Sequence, residues 1–253
     1  MINKNAGEKS TKVSAELFNL IERCIVISKL TDGAFDISYA SMDKLWKFDG
    51  SMKMLPTEDD IKKSVSKIGY KNILLDKSTF TVLLKHKGMK IGFGAIGKGY
   101  AADKAKELLV KNGVKSGIIN ASGDINAWGK QPNGKEWTIG IVNPLNKTKV
   151  FATLPINNQA VVTSGNYEKF VTFSGKRYSH IIDPRSGYPT SGIISVSIFS
   201  NIAELADALA TSVFIMGKEV GLDRINQMPN VECIIINEKG KVFTSKNIQI
   251  ENL

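Results

Sequence analysis

The stretch NIAELADALATSVFIMG (201–217) predicts the helix around which the rest of the chain packs. Asn201 and Glu204 have the spacing of a capping box, and Gly217 is a typical helix stop. Between these signals, residues 202–216 are apolar nearly all round. A helix with no polar face is expected in the interior of a protein.

Asp207 is the unusual residue of this helix, because burying an unpaired carboxylate is expensive. A cation, hydrogen bonds or a shifted pKa must compensate it. Thr211 follows four residues later and shares its helix face. A carboxylate and a hydroxyl, joined by a backbone carbonyl and phosphate oxygens, suit Mg²⁺. The alternative is that Asp207 pairs with a lysine or caps a neighbouring loop.

A second candidate is the run GFGAIGKG (92–99), which lies between a predicted strand and a predicted helix. Backbone amides and the positive end of a helix can hold a phosphate there. The run matches GxGxxG, but a Rossmann site also needs an acid after the next strand, and GIIN (117–120) ends in Asn. The nearest acid, Asp124, follows in a glycine turn. A nicotinamide site, another pyrophosphate cradle and a structural turn all stay open, and Lys98 is either a phosphate ligand or a solvated surface cation.

The chain contains two histidines, His86 and His180, which excludes a multi-histidine metal centre. His86 lies in the charged turn KHKGMK and is expected at the surface. His180 ends the strand-like run KRYSH, just before the rigid turn around Pro184. This junction between strand and loop favours a general base, and a purely structural histidine is the alternative.

Composition narrows the function classes. The chain has 253 residues, 42% of them apolar, and a net charge of +10, but only four of its 34 basic residues are arginines. The lysines are scattered, which favours a solubilising surface over nucleic-acid binding, with a patch for a polyanionic ligand as the alternative. Cys24 and Cys233 lie in apolar stretches, which excludes a disulfide framework. No apolar run approaches the roughly 18 residues of a membrane helix.

Periodicity and end signals predict five helices, with Leu108 and Leu109 on the inner face of the third. Their order with the strands is neither a regular βαβ alternation nor all-β, so the sequence predicts an α+β fold in one domain, 1–253. The helices are expected over about 15–29, 58–66, 99–112, 202–216 and 218–227. The strands are expected at 72–76, 80–85, 89–94, 117–120, 136–143, 149–154, 160–165 and 192–199, with two more around 231–237 and 240–245.

Five segments, taken in order, resemble the successive signature segments of the ApbE-type flavin transferases. The resemblance implies mixed, largely antiparallel sheets with packed helices, and a Mg²⁺-dependent enzyme. Such an enzyme cleaves FAD, attaches FMN through a phosphoester bond to a Thr or Ser of an acceptor flavoprotein, and releases AMP. The segments are GAFDIS (33–38), AIGKGYAAD (95–103), TSGNYEKF (163–170), YSHIIDPRSGYP (178–189) and ADALAT (206–211).

The same resemblance assigns expected roles to individual residues. It implies side-chain metal ligands at Asp207 and Thr211 and a backbone-carbonyl ligand at Ala95. His180 occupies the position proposed to deprotonate the acceptor hydroxyl. The implied FAD contacts are Ala34, Phe35, Asp36, Gly92, Lys98, His180 and Ile181.

This chain also departs from the family pattern. The family usually has Asp where Gly92 stands, so one nucleotide contact is expected to be lost. Family members normally carry a secretory or lipoprotein signal and a first Met-Gly-Thr segment that contacts flavin, so the chain is expected to be N-terminally truncated relative to the family. The full-length protein is therefore expected outside the cytoplasm, periplasmic or membrane-anchored.

The sequence is compatible with three functions. The resemblance implies transfer of FMN to another protein, for example a subunit of a membrane redox complex. The same metal and phosphate groups would also serve an FAD pyrophosphatase that gives FMN and AMP. A protein that binds FAD without turning it over is the third.

Overall fold

The structure is a computed structural model that describes residues 1–145, 150–166, 170–173 and 176–248. The chain forms two compact units, and each is assembled from two separate stretches. Unit 1 comprises residues 1–94 and 169–190, and unit 2 comprises residues 95–168 and 191–253. The predicted domain 1–253 is not tested by this division and stays a prediction.

All five predicted helices are confirmed, with ends within two residues of those expected. Ser14 caps the first helix by accepting a hydrogen bond from Leu17 N, and Thr57 caps the second through Asp60 N. The helices are α1 (Ala15–Leu30), α2 (Glu58–Val65), α3 (Gly97–Lys111), α4 (Ala203–Met216) and α5 (Lys218–Asn226). Short 3-10 helices occupy Ile2–Lys4, Ile37–Ser41 and Tyr70–Asn72.

Thirteen strands lie in the part of the chain that the structure describes, and all their pairings are antiparallel. The α+β prediction is therefore confirmed. The strands are β1 (Thr11–Lys12), β2 (Ile73–Asp76), β3 (Thr81–Leu84), β4 (Gly117–Ala121), β5 (Asp124–Trp128), β6 (Trp137–Val142), β7 (Val150–Ile156), β8 (Ala160–Gly165), β9 (Phe170–Phe173), β10 (Lys176–Ser179), β11 (Ile193–Ser200), β12 (Val231–Asn237) and β13 (Val242–Thr244). Lys149, predicted as the first residue of one strand, and residues 167–169 of the TSGNYEKF segment lie outside the described residues.

Unit 1 contains a three-stranded sheet of order β1-β3-β2 and the hairpin β9-β10. One of its apolar clusters is formed by Trp46, Ile61 and Ile182. The indole Nε1 of Trp46 donates a hydrogen bond of 2.9 Å to the carbonyl of Gly187. This bond fastens the loop that follows β10 to the unit's interior.

Unit 2 is built on a six-stranded sheet of order β13-β12-β11-β8-β5-β4. All eight residues of β11 are buried, so both faces of that strand are covered. Helix α4 packs against β11 and β8, and the hairpin β6-β7 contributes to an apolar cluster with residues of the same sheet, including Phe199 and Ile234. Ten of the fourteen residues of α4 are buried, which confirms that it is an interior helix.

The close approach of α3 to α4 depends on Gly99. A Cβ added there would lie 2.2 Å from the carbonyl oxygen of Ala203 and 2.9 Å from the Cβ of Asp207. Only glycine fits at such a distance from a backbone oxygen. The inner face of α3 is accordingly made of small residues, Gly99 and Ala102, and the predicted Leu108 and Leu109 point outward, with Leu108 61% exposed. That part of the prediction was wrong, because large side chains would hold the helices apart.

The capping box predicted at Asn201 is also wrong. The N-cap of α4 is Ile202, whose side chain makes no capping bond. The carboxylate of Asp103, on α3, accepts hydrogen bonds from Ala203 N (3.1 Å) and Glu204 N (2.8 Å) instead. One helix therefore caps the next, and a charge of the sign that the N-terminal dipole favours lies there.

The strand predicted at 89–94 does not form, because its backbone bonds side chains from elsewhere in unit 1. Asn3 both donates to Ile91 O and accepts from Ile91 N, and Ser41 does the same with Lys90. Gly92 N donates to Ile37 O at 2.9 Å. These hydrogen bonds anchor the segment in unit 1, and it belongs to no sheet in the described part of the chain.

Replacing Gly99 with alanine should destabilise the fold. Alanine is favoured over glycine in a helix by about 1 kcal/mol, but overpacking against a backbone carbonyl costs about 1–3 kcal/mol or more, so the loss should dominate. Chemical denaturation of the purified protein measures the difference. Gly94→Ala is the control, since an added Cβ there meets none of the described atoms within 4 Å. Equal stability of the two variants would contradict the close-packing account.

Candidate functional site

Asp207 lies at the junction of α3 and α4, and its side chain is 3% exposed. Its Oδ2 accepts a hydrogen bond of 3.1 Å from the backbone N–H of Gly99, in the first turn of α3. The α3 N-cap, Ile96, offers no capping side chain, so the carboxylate of Asp207 satisfies one of the helix's unpaired donors. The predicted anion-binding end of this helix is thus partly filled by the protein's own carboxylate.

Lys98 and Asp124 form an ion pair in the same unit, with Nζ 2.7 Å from Oδ1. Asp124 is 1% exposed, whereas the Lys98 side chain is 45% exposed. Among the described residues, no group hydrogen-bonds the other oxygen of Asp124, Oδ2, which is also buried. The carboxyl of Asp207 is close enough to bond Asp124 when one of the two is protonated.

The pKa values of Asp207 and Asp124 are both raised above that of a free aspartate. Burial, and then the negative charge of Asp124, raises the pKa of Asp207 to about 6, while backbone N–H groups of Gly99 and Lys98 act to lower it. Burial also raises the pKa of Asp124, against the lowering effect of Lys98. Two buried carboxylates near a single lysine leave negative charge without compensation, which is the environment of a cation site.

The other predicted metal ligands lie in unit 2 as well. Thr211 follows Asp207 on α4, with its hydroxyl 3.4 Å from that of Ser164 on β8, and Ala95 is half-buried just before α3. Within the described residues, no cluster of three or more His, Cys, Asp or Glu side chains could hold a metal ion. The donor set that does fit Mg²⁺ is all oxygen: carboxylate, hydroxyl and backbone carbonyl. The unbonded oxygen of Asp124 supports that fit.

The predicted contacts Ala34, Phe35 and Asp36 lie in unit 1 and are all buried. The carboxylate of Asp36 accepts hydrogen bonds from Ser38 N, Ser38 Oγ and Tyr70 N, at 2.6–2.8 Å. Its visible role is to hold a 3-10 helix to the turn at Tyr70. Burial raises the pKa of Asp36, and these hydrogen bonds oppose the shift.

His180 is half-buried and follows β10 directly. The backbone on its C-terminal side is fixed, because Ile181 N donates to Ser179 Oγ and Ile181 O accepts from both N and Oγ1 of Thr190. The backbone beside His180 is therefore held in place, which helps to position its imidazole for the role of a general base. His86 is exposed, as predicted.

A cleft of about 530 Å³ lies in unit 1, lined by residues from two of the segments that carry the resemblance. Asp36 comes from the first segment, and Pro184 and Arg185 come from the second. Gly33 also lines it, and a Cβ added there would be 3.7 Å from the side chains of Arg185 and Tyr70. The structure thus brings the GAFDIS and DPRSG stretches together.

The sequence predicts no role for Asp124 at this site and places it only as an acid in a glycine turn. The structure puts it beside Asp207. It begins β5, which pairs with β4 through a two-residue loop, Ser122-Gly123. Both loop residues have positive φ (54° and 96°), which is the backbone of a tight hairpin turn. A two-residue loop that contains Gly, here between GIINA (117–121) and DINAW (124–128), is a known hairpin signal, and it would have placed the acid at a strand start.

Fold and site together define an α+β protein with two buried carboxylates, Asp124 and Asp207, close together in unit 2. The sequence matches the model of the ApbE family over residues 1–235. It is 33% identical to an FAD:protein FMN transferase of Klebsiella pneumoniae over 246 residues, 96% of this chain and 76% of that protein. An enzyme of the same name from Treponema pallidum is 31% identical over 98% of this chain and 72% of its own length.

Solved structures show the same relationship. The ApbE protein of Thermotoga maritima superposes with a TM-score of 0.87 at 32% identity, over 97% of this chain and 80% of that one. The flavin transferase ApbE of Vibrio cholerae gives 0.84 at 25% identity, over 96% and 79%. This chain belongs to the ApbE family.

The raised pKa of Asp207 predicts how the metal-free protein responds to pH. The folded state holds this proton more tightly than the unfolded chain, so protonation stabilises the fold, and that stability is lost as pH rises from about 4 through about 6. Between pH 5 and 7 the loss should be about 1 kcal/mol. Thermal melts in EDTA of wild type and Asp207→Asn measure it. The same pH dependence in both proteins would show that Asp207 titrates normally.

Proposed function

We propose that this protein is a Mg²⁺-dependent FAD:protein FMN transferase that modifies a Thr or Ser of an acceptor flavoprotein. Family membership across residues 1–235 carries this proposal. The buried acids of unit 2 support it, since they could hold a divalent cation, and an enzyme that splits a pyrophosphate needs positive charge gathered at its phosphates.

The reaction would exchange one phosphorus–oxygen bond for another. The acceptor hydroxyl attacks the FMN phosphorus of FAD, a phosphoester bond forms, the pyrophosphate bond breaks, and AMP leaves with the bridging oxygen. His180 takes the hydroxyl proton, and Lys98 stabilises charge on the phosphates. Mg²⁺, when held by Asp207, Thr211 and the carbonyl of Ala95, supplies electrophilic charge at the pyrophosphate.

The family resemblance assigns further FAD contacts to segments of unit 1. Since Ala34 and Phe35 are buried and Asp36 is occupied by Ser38 and Tyr70, their contacts with FAD would be made mainly by backbone groups. The nearby cleft offers an aromatic ring and a guanidinium group to a nucleotide, from Tyr70 and Arg185. Arg185 is held by Asp183, with Nη2 2.8 Å from Oδ2.

The location of the full-length protein and its acceptor follow from the family resemblance alone. We propose an extracytoplasmic protein, periplasmic or membrane-anchored, whose acceptor is a flavoprotein such as a subunit of a membrane redox complex. In the described residues, no helix is both long and apolar enough to cross a bilayer. Cell fractionation of the native host would test the location.

The proposed activity is tested by incubating the protein with FAD and MgCl₂, with and without an acceptor domain. Intact-mass analysis of the acceptor and chromatography of the nucleotides follow both products. An FMN-sized mass gain on the acceptor together with AMP is expected, and EDTA should abolish both. FMN and AMP formed equally well without acceptor would indicate a pyrophosphatase. FAD that is bound but unchanged would indicate a binding protein.

His180→Ala should slow transfer by about 10²-fold or more while leaving FAD binding nearly intact, because the other implied FAD contacts remain and the lost proton transfer concerns the acceptor hydroxyl. His86→Ala is the matched control, since it removes the chain's other histidine from an exposed turn. Single-turnover rates and FAD titrations separate the two effects. Transfer at the wild-type rate in the His180 variant would mean that this histidine is structural.

A further inference from the structure

Asp124 has a buried carboxylate oxygen, Oδ2, that makes no hydrogen bond with any of the described residues. One oxygen of this carboxylate bonds Lys98, and the second has no hydrogen-bond partner in the part of the chain that the structure describes. A buried carboxylate oxygen without a donor is costly, and native proteins retain few such atoms. Its position suggests a ligand rather than a defect, because Asp207 lies beside it.

Charge in this cluster is unbalanced. Asp124 and Asp207 carry two negative charges when ionised, and Lys98 supplies one positive charge. Lys98 is nearly half exposed at the end of a flexible stem, so water screens its attraction to Asp124. The pairing can therefore be exchanged for a stronger cation at modest cost.

Asp124 is also held more rigidly than Lys98. It is the first residue of β5, where it pairs with Ala121 across a tight turn. Asn120 Oδ1 accepts a 2.8 Å hydrogen bond from Gly123 N inside that turn. A carboxylate at the start of a strand, beside a second one on a buried helix, makes a fixed oxygen pair of the kind that divalent cations require.

We propose that Asp124 is a second carboxylate of the cation site, paired with Lys98 in the metal-free protein and with the divalent cation in the loaded one. Loading would then release Lys98 toward the phosphates of the substrate. This inference rests on the proposed Mg²⁺ dependence. It names Asp124 as a further metal ligand. It also gives the Lys98–Asp124 ion pair a role, which is to hold Lys98 when no metal is bound.

Metal affinity tests the proposal without any catalytic assay. Mn²⁺ is titrated into wild type, Asp124→Asn, Lys98→Met and the double variant, and free Mn²⁺ is measured by electron paramagnetic resonance. Asp124→Asn should weaken binding by about tenfold or more. Lys98→Met should tighten it, because the competing cation is gone, and adding Asp124→Asn to that background should weaken it again. Asp76→Asn, which changes an exposed carboxylate at the end of β2, controls for the change in net charge.

The titrations distinguish a failure of the proposed role of Asp124 from a failure of the proposed metal dependence. If wild type binds Mn²⁺ and Asp124→Asn binds it equally well, Asp124 only positions Lys98 and the inference fails while the proposed function stands. If wild type itself binds no Mn²⁺, the metal dependence fails and this inference fails with it. Melts in EDTA show whether each variant is folded, and the double variant, which removes both charges of the pair, provides a folded comparison if Asp124→Asn alone is unstable.

Discussion

The burial of Asp207 against the first turn of α3 is the constraint on which unit 2 depends. A carboxylate can lie in that interior only because the helix end offers it a backbone N–H, and the helix end can approach only because residue 99 has no side chain. Asp103 closes the arrangement by capping α4 from α3. Polar contacts of Asp207 and Asp103 therefore hold α3 and α4 together where the small residues Gly99 and Ala102 let them approach. The position of the acidic site follows from that packing.

Local patterns were enough to predict the helices and most strands. The caps at Ser14 and Thr57 lie within three residues of the amides that they bond, so the sequence carries the whole signal. The predictions failed where the partner is distant. The α4 cap comes from residue 103, and the amides at 90 and 91 bond side chains at 41 and 3, which no window of adjacent residues contains.

The candidate site divides in the same way. Asp207 could be identified from sequence as an acid in the middle of an apolar helix, because a carboxylate in an interior helix is costly to bury wherever the helix packs. The ion pair of Lys98 and Asp124 could not be predicted from local patterns. It joins the start of α3 to the start of β5, two positions that are distant in sequence. For Asp36 the resemblance implied a nucleotide contact, and the structure adds a structural role through Ser38 and Tyr70.

The proposed function and the proposed role of Asp124 both require that the acidic site formed by α3, α4 and β5 binds a divalent cation. Anomalous diffraction from crystals soaked in Mn²⁺ tests it most directly, because the metal is located without reference to activity. The account predicts a strong peak within coordination distance of a carboxylate oxygen of Asp207, with Lys98 Nζ moved away from Asp124. A saturating soak that leaves this site without a peak and the Lys98–Asp124 pair intact would contradict it.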